Sequence, residues 1–113
     1  MKIFVAVVLM WVAAGTAWAD PTKEDWERYA QPTVDMFGGC ARGEVDRAWE
    51  TTAPAEDIAH AAVTTCERNL EPLWDILAKE PFGAGKQEIA ETLEQLKVEV
   101  FDAAKADVEN RRK

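Results

Sequence analysis

Cys40 and Cys66 stand at equal distances from Ala53, in the middle of the turn-forming stretch "ETTAPAED". On both sides of that stretch apolar residues recur at the three- and four-residue spacing of a helix. This symmetry constrains the fold more than any other feature. When the two arms fold back on each other about Ala53, the cysteines come level. The same register sets Ala48 against Ile58, Val45 against Ala61, and Tyr29 and Ala30 against Ile76 and Leu77. At these positions apolar meets apolar, a check independent of the cysteines. The expectation is a Cys40–Cys66 disulfide within one chain, an intermolecular bond being the alternative.

A disulfide holds its two Cα atoms about 4.4–6.8 Å apart, whereas packed helix axes sit about 8–10 Å apart. Small neighbours therefore favour the bond. Gly39, Ala41 and Gly43 supply them on one arm, and Ala61, Ala62 and Thr65 on the other. The glycines of "MFGGCARGEV" are thus expected to make room for the staple. The rival is a loop exposing a reactive thiol, which a second cysteine at matching register disfavours.

The compartment follows from the first 19 residues. Lys2 is followed by an apolar run from Ile3 to Ala14, then small residues and Ala17-Trp18-Ala19. A charged start, a short apolar run and an A-x-A-type site make a secretory signal peptide. The run is short for a membrane-spanning helix, which wants about 20 apolar residues. The expected organisation is a signal peptide over 1–19 and one helical domain over 20–113, with no membrane insertion after cleavage. Export predicts a secreted protein, periplasmic in a Gram-negative source. Cysteines in such an oxidising compartment pair.

Strand signals are nearly absent; no stretch of useful length alternates polar and apolar. The first arm opens with Thr22 and Asp25 as a capping pair. Trp26, Tyr29, Ala30, Thr33, Phe37 and Cys40 mark its apolar face, with Val45, Ala48 and Trp49 continuing it. Pro32 is expected to kink or end the first piece, and each glycine weakens the helix by about 1 kcal/mol relative to Ala. The second arm runs from Pro54 towards Lys79, with Pro72 bending it. Its face is Ile58, Ala62, Thr65, Cys66, Asn69, Leu70, Leu73, Ile76 and Leu77. After the break "KEPFGAGK", a third arm carries Ile89, Leu93, Leu96, Val100, Ala103 and Ala104, with Val108 near the edge of the stripe. Arg111, Arg112 and Lys113 complement its C-terminus. The predicted fold is all-α: a small antiparallel three-arm helical bundle, its first arm broken near Pro32 and Gly38-Gly39, stapled by one disulfide.

All 21 acidic residues lie beyond residue 19, against 12 of the 13 Lys and Arg, so that part carries a net charge of −9. Such a field repels nucleic acid and anionic membranes and favours a basic partner. Spread along the chain, the acids also act as solubilising charge.

Motifs for chemistry are few. His60, the one histidine, points away from the Ile58–Ala62–Cys66 face. Beside Glu56 and Asp57 it makes a poor metal site, because a catalytic zinc takes three protein ligands with more His or Cys. No C-x-x-C, G-x-S-x-G, P-loop or H-E-x-x-H occurs. Glu44, Asp46 and Glu50 read as a solvated face. No cofactor or metal is expected. Trp49, Trp74 and Phe101 sit at the edges of their apolar faces, and Val98 sits opposite its own. They fill the seams of a thin core, or they form a partner surface, since exposed Trp is enriched at binding hot spots. The expected role is a non-enzymatic interaction protein: an inhibitor, immunity or accessory protein. An acid-responsive periplasmic chaperone is the second reading, and an enzyme the third.

Overall fold

The Thr22 hydroxyl accepts from the Asp25 backbone N–H at 3.1 Å, and the Asp25 carboxylate accepts from the Thr22 N–H at 3.1 Å. This reciprocal capping box starts the first arm in a computed structural model that describes residues 22–113. The signal-peptide reading of 1–19 lies outside the described residues. After a short turn, α1 (Lys23–Asp25), the chain takes a π-helical turn over Trp26–Ala30 and then α2 (Gln31–Ala48). The break expected at Pro32 is this change of helix type. Pro32 stands in the first turn of α2, where a missing N–H costs least.

The π-helical turn has a consequence further along the arm. It inserts one residue into the helical repeat, and two positions of the buried stripe beyond it move by one, while Phe37 and Val45 are buried as expected. The residues buried on the first arm are Trp26, Ala30, Val34, Phe37, Ala41 and Val45. Val34 and Ala41 thus take the places expected for Thr33 and Cys40, and Tyr29 is left 45% exposed.

The second arm is α3 (Ala55–Cys66), a 3-10 turn over Glu67–Leu70, and α4 (Glu71–Ala78) with Pro72 in its first turn. Its buried residues are Ile58, Ala59, Ala62, Cys66, Leu70, Leu73 and Leu77. The third arm is α5 (Lys86–Arg111), 26 residues, a rod of about 39 Å at 1.5 Å per residue. It sets the length of a molecule of 47 × 22 × 22 Å. The chain is a small all-α bundle of three packed helical arms, with no strand among the described residues.

Cys40 and Cys66 form the expected disulfide, with Cα atoms 5.8 Å apart. The role expected for the glycines is not found. A Cβ built on Gly38 or Gly39 meets no atom within 4 Å, and on Gly43 only the Arg47 guanidinium at 3.9 Å. The glycines therefore do not face the second arm. The small residues buried between the arms are Ala41, Ala59 and Ala62. Nor do Gly38 and Gly39 break the helix, because α2 runs through both, held by buried Phe37 and Ala41 and by the staple at Cys40.

Two apolar clusters form the interior. The larger runs from Trp26 to Val100 and includes Phe82 from the break between the second and third arms. Phe82 is 0% exposed and meets the edges of Trp26 and Tyr29, with ring centroids 6.3 and 6.5 Å away. The loop that delivers it is held by Gly83 N–H donating to Lys79 O at 2.9 Å and Ala84 N–H to Leu77 O at 2.8 Å. Gly83 has φ +59°, the left-handed region that a side chain disfavours. The smaller cluster, Val45, Ile58, Ala59, Ala104 and Val108, closes the other end, with Trp49 and Phe101 packed against it.

Candidate functional site

The glycines open a groove instead of closing a contact. Between α2 and α5 lies a half-open groove of about 680 Å³. Its walls are Asp35, Gly38, Gly39, Ala41, Arg42 and Val45 on one side and Val100, Ala103, Ala104, Asp107 and Arg111 on the other. The groove follows from side-chain size: with Gly at 38 and 39 and Ala at 41, 103 and 104, the two helices lack the bulk to fill the space between them. Ala103, expected in the buried stripe of the third arm, is exposed here. Arg111 closes one end of the groove. Its Nη2 lies 2.7 Å from Asp46 Oδ1 and its Nε 3.0 Å from Asp107 Oδ1. These two carboxylates hold the guanidinium pKa above its ordinary value, the bond to Asp107 contributing most.

A second groove, of about 400 Å³, lies where the second arm meets α5. Leu70 and Leu93 line it beside Trp74, with Glu67, Glu71, Arg68 and Lys97 around them. Lys97 Nζ spans the arms, 3.5 Å from Glu67 Oε2 and 3.5 Å from Glu94 Oε1.

The four residues expected to form a partner surface are distributed over the molecule. Trp74 is 39% exposed and lines the second groove. Val98 is 51% exposed on α5 and lines neither groove. Trp49 and Phe101 are half-buried against the smaller cluster. His60 is exposed. Of the acids read as a solvated face, Glu44 pairs with Arg47, Asp46 pairs with Arg111, and Glu50 is exposed. No three His, Cys, Asp or Glu side chains among the described residues are grouped to hold a metal. No described helix is long and apolar enough to cross a membrane.

Glu99 is a partly buried carboxylate of α5. Its Oε1 accepts from Gln95 Nε2 at 3.1 Å, while its Oε2 is enclosed with no hydrogen-bond partner among the described residues. Burial raises its pKa above the ordinary value; Asp102 adds to the rise and the Gln95 bond opposes it. A general acid at a raised pKa needs a substrate cleft beside it, and Glu99 lines neither groove.

Two features escaped the sequence. Phe82 lies in a Pro/Gly break with no helical period, so nothing local marks it as core. Arg112 donates from Nε to Trp49 O and from Nη2 to Thr51 O. Its basic character suggested the end of its own helix, but it serves the end of α2 instead. A comparison with protein-family models, curated proteins and solved structures found no match in any of the three.

Proposed function

We propose that the chain is an exported, non-enzymatic protein-interaction module: an inhibitor, immunity or accessory protein that engages a basic partner through the face around Trp74. The observation that carries this reading is Trp74 itself. A large aromatic stands 39% exposed over a groove with Leu70 and Leu93 beneath it. A half-exposed Trp over apolar neighbours can bury a large further area on association, and such residues dominate binding energy. The net charge of −8 on the full chain supports a basic partner by steering encounter. The disulfide supports export, to the periplasm in a Gram-negative source, because such bonds persist in oxidising compartments.

The test is capture from the exported fraction of the source cell. The wild-type chain is expected to retain a basic protein in a salt-sensitive manner, and Trp74→Ala to lose it with little loss of stability. Capture that is indifferent to Trp74→Ala would remove the face from consideration.

A second reading, the acid-responsive chaperone, rests on Arg111. Its pair with Asp46 ties α2 to α5 over the smaller apolar cluster, and Asp107, one turn before it on α5, holds the guanidinium in place. Loss of that tie in strong acid frees Val45, Ile58, Trp49, Phe101 and Val108 to part while the disulfide limits expansion. The acid form should then hold an unrelated client soluble near pH ~2–3 and release it on neutralisation. Failure to bind a client would end that reading.

A further inference from the structure

The geometry points to a second copy of this chain as the occupant of the groove between α2 and α5, with α2 of the two copies crossing antiparallel on a two-fold axis between Gly38 and Gly39. Three observations lead there, none of them involving Trp74, so this inference stands or falls separately from the partner reading above.

The first is that no contact among the described residues requires glycine at 38 or 39. Two glycines in mid-helix cost about 1 kcal/mol each relative to Ala, yet a Cβ on either would meet no atom within 4 Å. Alanine would fit the monomer. What glycine provides is bare backbone at the surface, on the wall of a groove, which lets a second backbone come close.

The second is the order of charges along the wall. Asp35 and Arg42 flank the glycine pair at equal distances, and both are exposed groove-lining residues. Neither belongs to an ion pair among the described residues; Asp35 accepts from Gln31 at 2.7 Å. They are one acid and one base, about two helical turns apart, on one face. An isologous interface brings each residue of a patch against the residue that mirrors it across the axis. With the axis between Gly38 and Gly39, Asp35 faces Arg42 of the partner subunit, and Arg42 faces the partner's Asp35. The face is complementary to its own reverse. Had both flanking charges carried one sign, the same crossing would set like charges together.

The third is the opposite wall. Val100, Ala103 and Ala104 of α5 line the groove with small apolar side chains, and Val45 and Ala41 continue them on α2. A second α2 lying in this channel would cover the wall and build a four-helix core from α2 and α5 of each copy. The net charge of the chain opposes association of two copies. The dimer therefore depends on this local complementarity, and that makes it sensitive to single substitutions.

Sedimentation equilibrium of the disulfide-bonded protein tests the arrangement. The wild type should dimerise with concentration. Gly39→Leu, which fills the crossing point, and Asp35→Arg, which sets arginine against Arg42 of the partner subunit, should each raise the dissociation constant by about tenfold or more. Circular dichroism should show both variants folded, with helicity no lower than that of the wild type. The double variant Asp35→Arg with Arg42→Asp inverts both charges and should restore the dimer, which a merely structural role of either residue would not do. A wild type that stays monomeric up to millimolar concentration overturns the inference. So does a dimer indifferent to both single substitutions, or a charge swap that fails to restore association.

Discussion

Arg112 donates its Nε–H to the backbone carbonyl of Trp49 at 2.9 Å, across 63 residues of chain. A second donor on the same guanidinium, Nη2, reaches Thr51 O at 2.7 Å. The last carbonyls of a helix have no partner within it and carry the negative end of its dipole. The fork of an arginine meets both needs at once, and it ties the C-terminus of the chain to the turn between the first two arms.

Removing that fork should loosen this end of the bundle. Arg112→Ala is expected to cost about 1 kcal/mol, the usual size of an exposed charge-assisted bond pair. In a domain of this size that lowers the melting temperature by about 4–8 °C. Arg112→Lys should recover little, because an ammonium cannot span two carbonyls as a planar fork does. Thermal denaturation of the two variants checks it; equal recovery by Lys would mean that charge alone matters.

The Cys40–Cys66 bond closes a loop with a sequence separation of 26. In the chain-entropy account such a loop stabilises by about 3–4 kcal/mol. Replacing both cysteines by Ala should therefore lower the urea midpoint by a large fraction of the total stability of a small domain. Protein purified without reductant should be lighter than the reduced chain by the two thiol hydrogens. Two free thiols in that sample would refute the bond.

Phe82 and Trp74 should respond in opposite ways to truncation. Phe82 is fully enclosed against Trp26 and Tyr29, so Phe82→Ala should cost about 3–5 kcal/mol. Trp74, 39% exposed, should cost well under that. Urea titrations of the two variants decide, and equal losses would place Trp74 in the core.

Acid should first stabilise this fold. Burial holds the Glu99 carboxyl above its ordinary pKa, with Asp102 adding to the effect. A carboxyl that binds its proton more tightly folded than unfolded penalises the folded state when ionised. Its cost is present above the folded-state pKa and disappears as pH falls through that value towards the ordinary carboxylate range. Stability should thus rise on mild acidification. Glu99→Gln should stabilise the protein at neutral pH and flatten the rise. Urea midpoints across mildly acidic pH measure both; an unchanged slope in the variant would assign the rise to other carboxylates.

Local pattern carried much of this molecule. Apolar spacing marked three helical arms, Pro and Gly marked their breaks, and the cysteines marked the register of the first hairpin, because each of these signals acts within a few residues or along one helix face. The buried stripe of the first arm was legible in part: Trp26, Ala30, Phe37 and Val45 are buried as their spacing indicated. The π-helical turn added a residue and set Val34 and Ala41 in the core where Thr33 and Cys40 were expected, a shift that the helical period cannot register. The glycines show the boundary most clearly. Their number and their place beside Cys40 are visible in the sequence, but the direction they face depends on where α5 lies. That is a matter of packing between elements far apart in the chain, and it turned an expected close contact with the second arm into an open groove. Phe82 and Arg112 were beyond reach for the same reason. A loop aromatic and a terminal arginine have no periodic neighbours to announce them, and only the assembled bundle brings Phe82 under Trp26 and Arg112 to the carbonyl of Trp49.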